Sequence, residues 1–267
     1  MRKLFITLMI AASILSLAAC GTGTEDKEIK IGATSGPYSD QVKESIKPLL
    51  EKEGYKVKVI EFNDYIQPNN SLDEGSIDAN VFQTDTYLNK YKEDHGLELI
   101  NTIAVPTAPI GLYTEKHKEI TDLKEGMKVT LPNDPVNMAR ALAMMEQFEW
   151  ITLKDEVDPT RISEKDIDEN HFNLNIVPLE AGQLPRSLGD TDFAFINGNF
   201  AIASGLTLEG ALALEKTPEN YMIKVTFREE DLDKPFAAAI QKAYQTEEFQ
   251  QYTNEKTNGF IKPDYLE

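Results

Sequence analysis

The stretch Glu28-Ile29-Lys30-Ile31-Gly32-Ala33-Thr34-Ser35-Gly36-Pro37 decides how this chain folds. Glu28 to Gly32 alternates polar and apolar residues with the period of a strand, and the residues from Ala33 to Ser39 read as a polar turn. Val42, Ile46, Leu49 and Leu50 then recur at helical spacing up to Gly54, with Pro48 inside the pattern predicting a kink. Lys56 to Phe62 is a second strand. After Asn63-Asp64-Tyr65 and the turn residues Pro68-Asn69-Asn70, a short helix leads to a third strand, Ile77 to Phe82. Strand, helix, strand, helix, strand specifies a parallel sheet with crossover helices. Ligands of such sheets gather in the loops at the carboxyl ends of the strands.

Working outward, Thr84 to Asp94 carries Tyr87, Leu88 and Tyr91 on a helix, and Leu97 to Val105 is a strand. Pro106-Thr107-Ala108-Pro109 breaks it before Ile110-Gly111-Leu112-Tyr113, and two prolines between extended pieces suit a crossing between lobes. Lys128 to Leu131 ends a strand, Asp134 caps a helix, and Pro135 occupies its first position, where a missing N–H costs nothing. Met138, Ala141, Leu142, Met145 and Phe148 form the buried stripe of that helix. Lys154 to Asn170 is charged and irregular. Phe172 to Leu179 is a strand, Gln183 to Leu188 a short helix, and Asp192 to Ile196 a buried strand running into Asn197-Gly198-Asn199-Phe200. A last strand, Tyr221 to Phe227, precedes helices over 235–244 and 247–256. The β/α pattern thus runs once, passes the proline crossing, runs again and returns. The expected fold is α/β with two lobes and the ligand in the cleft between them: residues 28–108 and 224–267 in lobe 1, residues 109–223 in lobe 2. A single open sheet is the alternative.

Arg2 and Lys3 precede an uncharged apolar run, so residues 1–19 read as a secretory signal rather than a membrane span. Leu17-Ala18-Ala19-Cys20 resembles a bacterial lipobox, in which cleavage exposes a cysteine that carries lipid. Cys20 is the only cysteine, which excludes internal disulfides and thiolate metal clusters. Residues 20–27 suit a polar tether. The expected location is the cell membrane, lipid-anchored on the extracytoplasmic side. Without Arg2 and Lys3 the formal charge moves from −18 to −20, which argues against nucleic-acid binding.

Catalytic chemistry finds no footing. His95, His117 and His171 are far apart without acidic partners at ligand spacing, so no metal site is expected. There is no Gly-x-Ser-x-Gly elbow and no phosphate-cradling glycine loop, and the paired carboxylates sit in exposed contexts. No cofactor and no catalytic residue is assigned. What remains is a binding constellation. Tyr65, Phe82 and Tyr87 lie at or after strand ends in the first lobe. Asn137, Arg140, Asn197 and Asn199 lie at equivalent places in the second. Aromatic walls facing a few fixed polar groups hold small amphipathic molecules. Asn137 and Arg140 share a face near a helix start, where an anion is favoured and arginine adds a two-pronged contact to a carboxylate. Asn197-Gly198-Asn199 is also readable as only a turn.

Several segments together resemble the methionine-binding lipoproteins of bacterial ABC importers, the NlpA-like family. They are Gly32-Ala33-Thr34 with Gly36-Pro37, Asp64-Tyr65-Ile66-Gln67-Pro68-Asn69, Asp78-Ala79-Asn80 with Phe82-Gln83, Pro132-Asn133-Asp134-Pro135, Leu184-Pro185-Arg186-Ser187-Leu188 and Ile196-Asn197-Gly198-Asn199. The resemblance implies the two-lobed periplasmic-binding-protein fold (type II-like) and delivery of the ligand to a permease driven by an ATPase. The expected molecule is a monomer and not an enzyme. By motif, Arg140 and Asn137 would hold the ligand carboxylate and Asn197 its backbone polar groups, while Tyr65, Phe82 and Tyr87 enclose its side chain. Two positions depart from the family. Phe82-Gln83-Thr84 stands where the family usually reads Phe-Gln-His, and Ile223 stands where it often has a ligand-contacting asparagine, Asn220 being the nearest one here. Methionine is the leading ligand, and a methionine-containing dipeptide or another amino acid stays open. An enzyme or an adhesive surface protein on the same scaffold is a further alternative.

Overall fold

The protein is described from a computed structural model covering residues 27–266, so the expected signal, the lipidated Cys20 and most of the tether lie outside the described residues. The elements in order are β1 (Glu28–Thr34), α1 (Pro37–Gln41), α2 (Lys47–Lys52), β2 (Lys56–Phe62), α3 (Gln67–Asp73), β3 (Ala79–Gln83), α4 (Asp85–His95) and β4 (Leu99–Ala104). They continue with β5 (Gly111–Tyr113), β6 (Lys128–Pro132), α5 (Pro135–Gln147), β7 (Ile151–Leu153), β8 (Ile167–Asn170), β9 (Asn175–Leu179) and β10 (Phe193–Ile196). Last come α6 (Gly198–Ala203), β11 (Ala213–Leu214), β12 (Lys224–Arg228), α7 (Pro235–Tyr244) and α8 (Glu247–Lys256).

Two five-stranded sheets result, ordered β2-β1-β3-β12-β4 and β11-β5-β10-β6-β9, which rules out the single open sheet. As expected from the opening stretch, β1 pairs in parallel with β2 and β3. The chain then returns from the second sheet, and β12 inserts antiparallel between β3 and β4. In the second sheet β10 and β9 flank β6 in parallel, and β5 pairs antiparallel with β10.

Each sheet has its own core. Ile29, Ile31, Val81, Val225 and Phe227 pack with Tyr38, Ile46, Leu50, Ile240, Tyr244 and Phe249 from the helices. In the second, Val129, Leu131, Phe193 and Phe195 pack with Leu142, Met145 and Trp150. Each such large side chain, fully buried, contributes roughly 1.5–3 kcal/mol, so each sheet can hold its shape as a unit. The two crossings between the sheets run side by side. Val105 N–H donates to Ile223 O (2.8 Å), and Ile223 N–H donates to Thr107 Oγ1 (2.8 Å). Thr107 also exchanges two backbone hydrogen bonds of 2.9 Å with Ile261.

Several local expectations change. β1 runs on to Thr34, and the helix starts at Pro37 rather than after Ser39. The irregularity expected at Pro48 takes the form of a π turn over Val42–Ile46, in which Lys47 N–H reaches Val42 O. Pro68 to Asn70 form the first turns of α3 rather than a turn. Proline is tolerated there, and Asp64 Oδ1 accepts the free N–H groups of Ile66 and Gln67. The charged region hides β8, which pairs antiparallel with β7 just before that region. Its sequence gives no alternation because β8 is largely solvated. Asn197-Gly198-Asn199 is the start of α6, not a free turn.

Candidate functional site

The carboxyl ends of β3, β6 and β10 meet across the gap between the sheets and enclose a cavity. From the first sheet's side, Tyr65, Phe82, Thr84 and Tyr87 line it. From the second, Asn137, Arg140, Asn197 and Asn199 do so. All eight residues singled out from the sequence are therefore brought together. Tyr38, Gln83, Thr107, Ala108 and Tyr221 complete the lining and were not anticipated as a wall, and Ile223 joins them at the position where the resemblance puts a ligand-contacting asparagine.

The aromatic side is one packed cluster. Tyr65 stacks on Phe82 with ring centres 5.9 Å apart, and Tyr87 meets both edge-on at 6.0 and 5.8 Å. Burial pushes the Tyr65 and Tyr87 phenols well above their ordinary range, so both stay neutral donors. Tyr87 Oη donates to Tyr65 O (2.9 Å), and Tyr65 Oη reaches across to Asn199 Oδ1 (2.7 Å). The latter bond joins the two sides, and the cleft is closed. Only about 20 Å³ is open to a water-sized sphere, room for roughly one water molecule.

The polar side is organised by α5. Asp134 Oδ1 caps it by accepting Asn137 N–H at 2.9 Å, and both Asp134 oxygens accept from Asn137 Nδ2. The anion favoured at this helix start is thus the chain's own carboxylate. Desolvation raises the Asp134 pKa, and the hydrogen bonds from Asn137 oppose the rise. With its amide nitrogen committed to Asp134, Asn137 turns Oδ1 to Arg140 Nη1 (2.9 Å) and Asn197 Nδ2 (2.9 Å).

Arg140 carries a partner the sequence reading missed. Its Nε and Nη2 donate to the two oxygens of Glu215 at 2.8 and 2.5 Å, both side chains being less than a tenth exposed. Tyr221 covers the guanidinium face at 4.8 Å. Burial alone would raise the Glu215 pKa and lower that of Arg140. Their mutual attraction outweighs it, so Glu215 is held below, and Arg140 above, its ordinary value. The two-pronged grip foreseen for a ligand carboxylate is therefore taken by Glu215 along one edge. A guanidinium has five N–H groups, three are used here, and two are uncommitted among the described residues.

Two further atoms lack partners. Asn197 Oδ1 and Asn199 Nδ2 are buried without a hydrogen bond among the described residues. Leaving such groups unpaired costs about 1–3 kcal/mol each; others lie elsewhere, at Thr34, Gln41, Asp231 and Tyr244, but these two line the cavity, where a ligand's polar groups could pair with them. One is an acceptor, the other a donor. No group of histidine, cysteine and carboxylate side chains suited to a metal occurs among the described residues.

The family model described as NlpA lipoprotein matches residues 29–265. The chain belongs to the NlpA lipoprotein family. The D-methionine-binding lipoprotein MetQ of Salmonella typhi is 37% identical over 258 residues, covering 94% of each chain. Among solved structures, a nutrient binding protein from Burkholderia cenocepacia bound to methionine superposes with a TM-score of 0.83 at 38% identity. That match covers 88% of this chain and 99% of the other. An ABC transporter periplasmic substrate-binding protein from Coxiella burnetii gives a TM-score of 0.81 at 35% identity, covering 88% and 100%. The two-lobed binding-protein fold is thereby shown.

Within this NlpA lipoprotein the two departures have structural explanations. Thr84 is the N-cap of α4, its Oγ1 accepting Tyr87 N–H at 3.1 Å, so the smaller wall also orients Tyr87. Ile223 lies in the crossing and lines the cavity with an apolar side chain. Asn220 does not replace it: its Nδ2 donates to Thr86 Oγ1 (3.2 Å) at an exposed position outside the lining.

Proposed function

We propose that this chain is the solute-binding lipoprotein of an ABC importer and that its cleft closes on methionine. The observation that carries the ligand class is the set of uncommitted groups in the cavity. Asn199 Nδ2 and two Arg140 N–H groups are donors for a carboxylate, and Asn197 Oδ1 is the acceptor for an ammonium. Tyr65, Phe82 and Tyr87 supply the wall for a flexible thioether, which packs well against ring edges. The relatives named as methionine-binding proteins support the same choice. Because the Tyr65–Asn199 bond spans the cleft and only about 20 Å³ is open to a water-sized sphere, the lobes part to admit the ligand, breaking that bond and bending at the paired crossings, and close again around it. On this reading the lobes are residues 28–108 with 224–267, and 109–223. The molecule acts as a monomer without catalysis of its own, is tethered to the membrane by lipid on Cys20, and hands its ligand to a permease with its ATPase.

Thermal unfolding of the purified chain with L- and D-methionine tests the ligand. At a concentration of 100 times Kd, binding to the folded state adds about 2.7 kcal/mol and a rise of several degrees in Tm. A methionine-containing dipeptide or a different amino acid giving the larger shift would replace methionine. No shift with any of them would overturn the reading.

A further inference from the structure

Charge around the cavity is unevenly set. Arg140, Asn137 and Asn197 form one hydrogen-bonded chain, Arg140 Nη1 and Asn197 Nδ2 both donating to Asn137 Oδ1. Two carboxylates bond directly to that chain: Glu215 to Arg140, and Asp134 to Asn137. One positive charge is thus flanked by two negative ones. Arg140 offers an incoming carboxylate two N–H groups but little net positive field, because Glu215 neutralises it at contact distance. An ammonium placed at Asn197 Oδ1 feels the reverse, the negative charge of Asp134 one residue away, which has hydrogen bonds from Asn137 but no cation in contact with it.

We propose that Glu215 and Asp134 make this cleft selective for zwitterions, admitting a carboxylate only when an ammonium comes with it. The inference rests on the amino-acid reading above and extends it to the rejection of carboxylates that lack the amine. Ligands of the same shape with a hydroxyl in place of the ammonium keep one hydrogen bond to Asn197 Oδ1. They bring a net negative charge into a site that already holds an excess of one. Glu215 acts through Arg140 and is a positioning residue in this sense: it fixes the guanidinium edge and sets its net charge. Asp134 acts through Asn137 in the same way.

The test is calorimetric titration of the purified chain with L-methionine and with its α-hydroxy acid analogue. Wild type binds methionine more tightly by about 100-fold or more. Glu215→Gln and Asp134→Asn each narrow that ratio by about tenfold, the order expected for removing one nearby charge in a partly buried site. Asparagine still caps a helix, so Asp134→Asn keeps α5 in place. Glu215→Asp, which retains the charge, keeps the wild-type ratio. Measuring a ratio cancels any general weakening of the carboxylate grip. A wild type that binds the hydroxy acid within about threefold of methionine overturns the proposal without any variant. Both neutralising variants, folded by circular dichroism and with an unchanged ratio, overturn it too. Binding of neither compound by the wild type overturns the amino-acid reading itself.

Discussion

Removing Arg140 strands a charge. In Arg140→Ala the Glu215 carboxylate, less than a tenth exposed, keeps the Thr217 hydroxyl at 2.8 Å but loses both guanidinium bonds. Removing one partner of such a buried pair costs about 3–5 kcal/mol, whereas replacing both with apolar residues of similar volume is often close to neutral. At about 2–4 °C per kcal/mol for a chain of this size, the single variant melts roughly 6–20 °C lower without ligand. Arg140→Met with Glu215→Leu recovers most of that loss. The pH dependence adds a second signature. In the wild type Glu215 is held below its ordinary value, so its contribution is present above about pH 4.5 and fades as pH falls through the folded pKa. Without Arg140 burial dominates and the pKa rises, so the variant is penalised at pH 7 and relieved as pH falls and Glu215 takes up a proton. Urea unfolding followed by circular dichroism at pH 7 and pH 5 reads both effects. A loss under about 1 kcal/mol, or a deficit that does not shrink at pH 5, would refute the buried-pair argument.

Three other outcomes follow from the geometry. Tyr65→Phe removes the hydroxyl that spans the closed cleft, and a hydrogen bond of that kind is worth about 1 kcal/mol, so methionine affinity falls roughly fivefold in calorimetry while the fold is kept. A Cβ at Gly182 would sit 2.7 Å from Asn63 O on the opposite side of the cleft. Gly182→Ala therefore weakens ligand binding tenfold or so by opposing closure, yet leaves unliganded Tm nearly unchanged. At Gly198 a Cβ would lie 2.5 Å from Pro109 O and 2.6 Å from Ala108 Cβ. Because those atoms belong to the crossing, Gly198→Ala costs about 1–3 kcal/mol in denaturant unfolding whether or not ligand is present.

Much of the architecture was legible because local signals agreed with the fold. The period-two run of β1 and the Asp134-Pro135 start of α5 each specify one element by backbone chemistry alone. The proline-marked crossing was readable for the same reason. What escaped depends on distant partners. β11 is two residues long and exists by pairing with β5. Glu215, 75 positions from Arg140, has meaning only once the second sheet has formed. The same holds for Asn197 and Asn199, whose turn-forming types are visible in sequence while their orphaned atoms are not. Thr84 shows the opposite case, where a substitution read as a lost wall is also a helix cap that needed no tertiary knowledge to predict.

On the reading proposed above, this cleft binds methionine through its amino and carboxyl groups. Mass spectrometry of small molecules released by denaturing freshly purified protein tests it most directly. The expected release is methionine in near-stoichiometric amount from the wild type and none from Arg140→Ala. Release of a different compound, or equal methionine from both proteins, would contradict it.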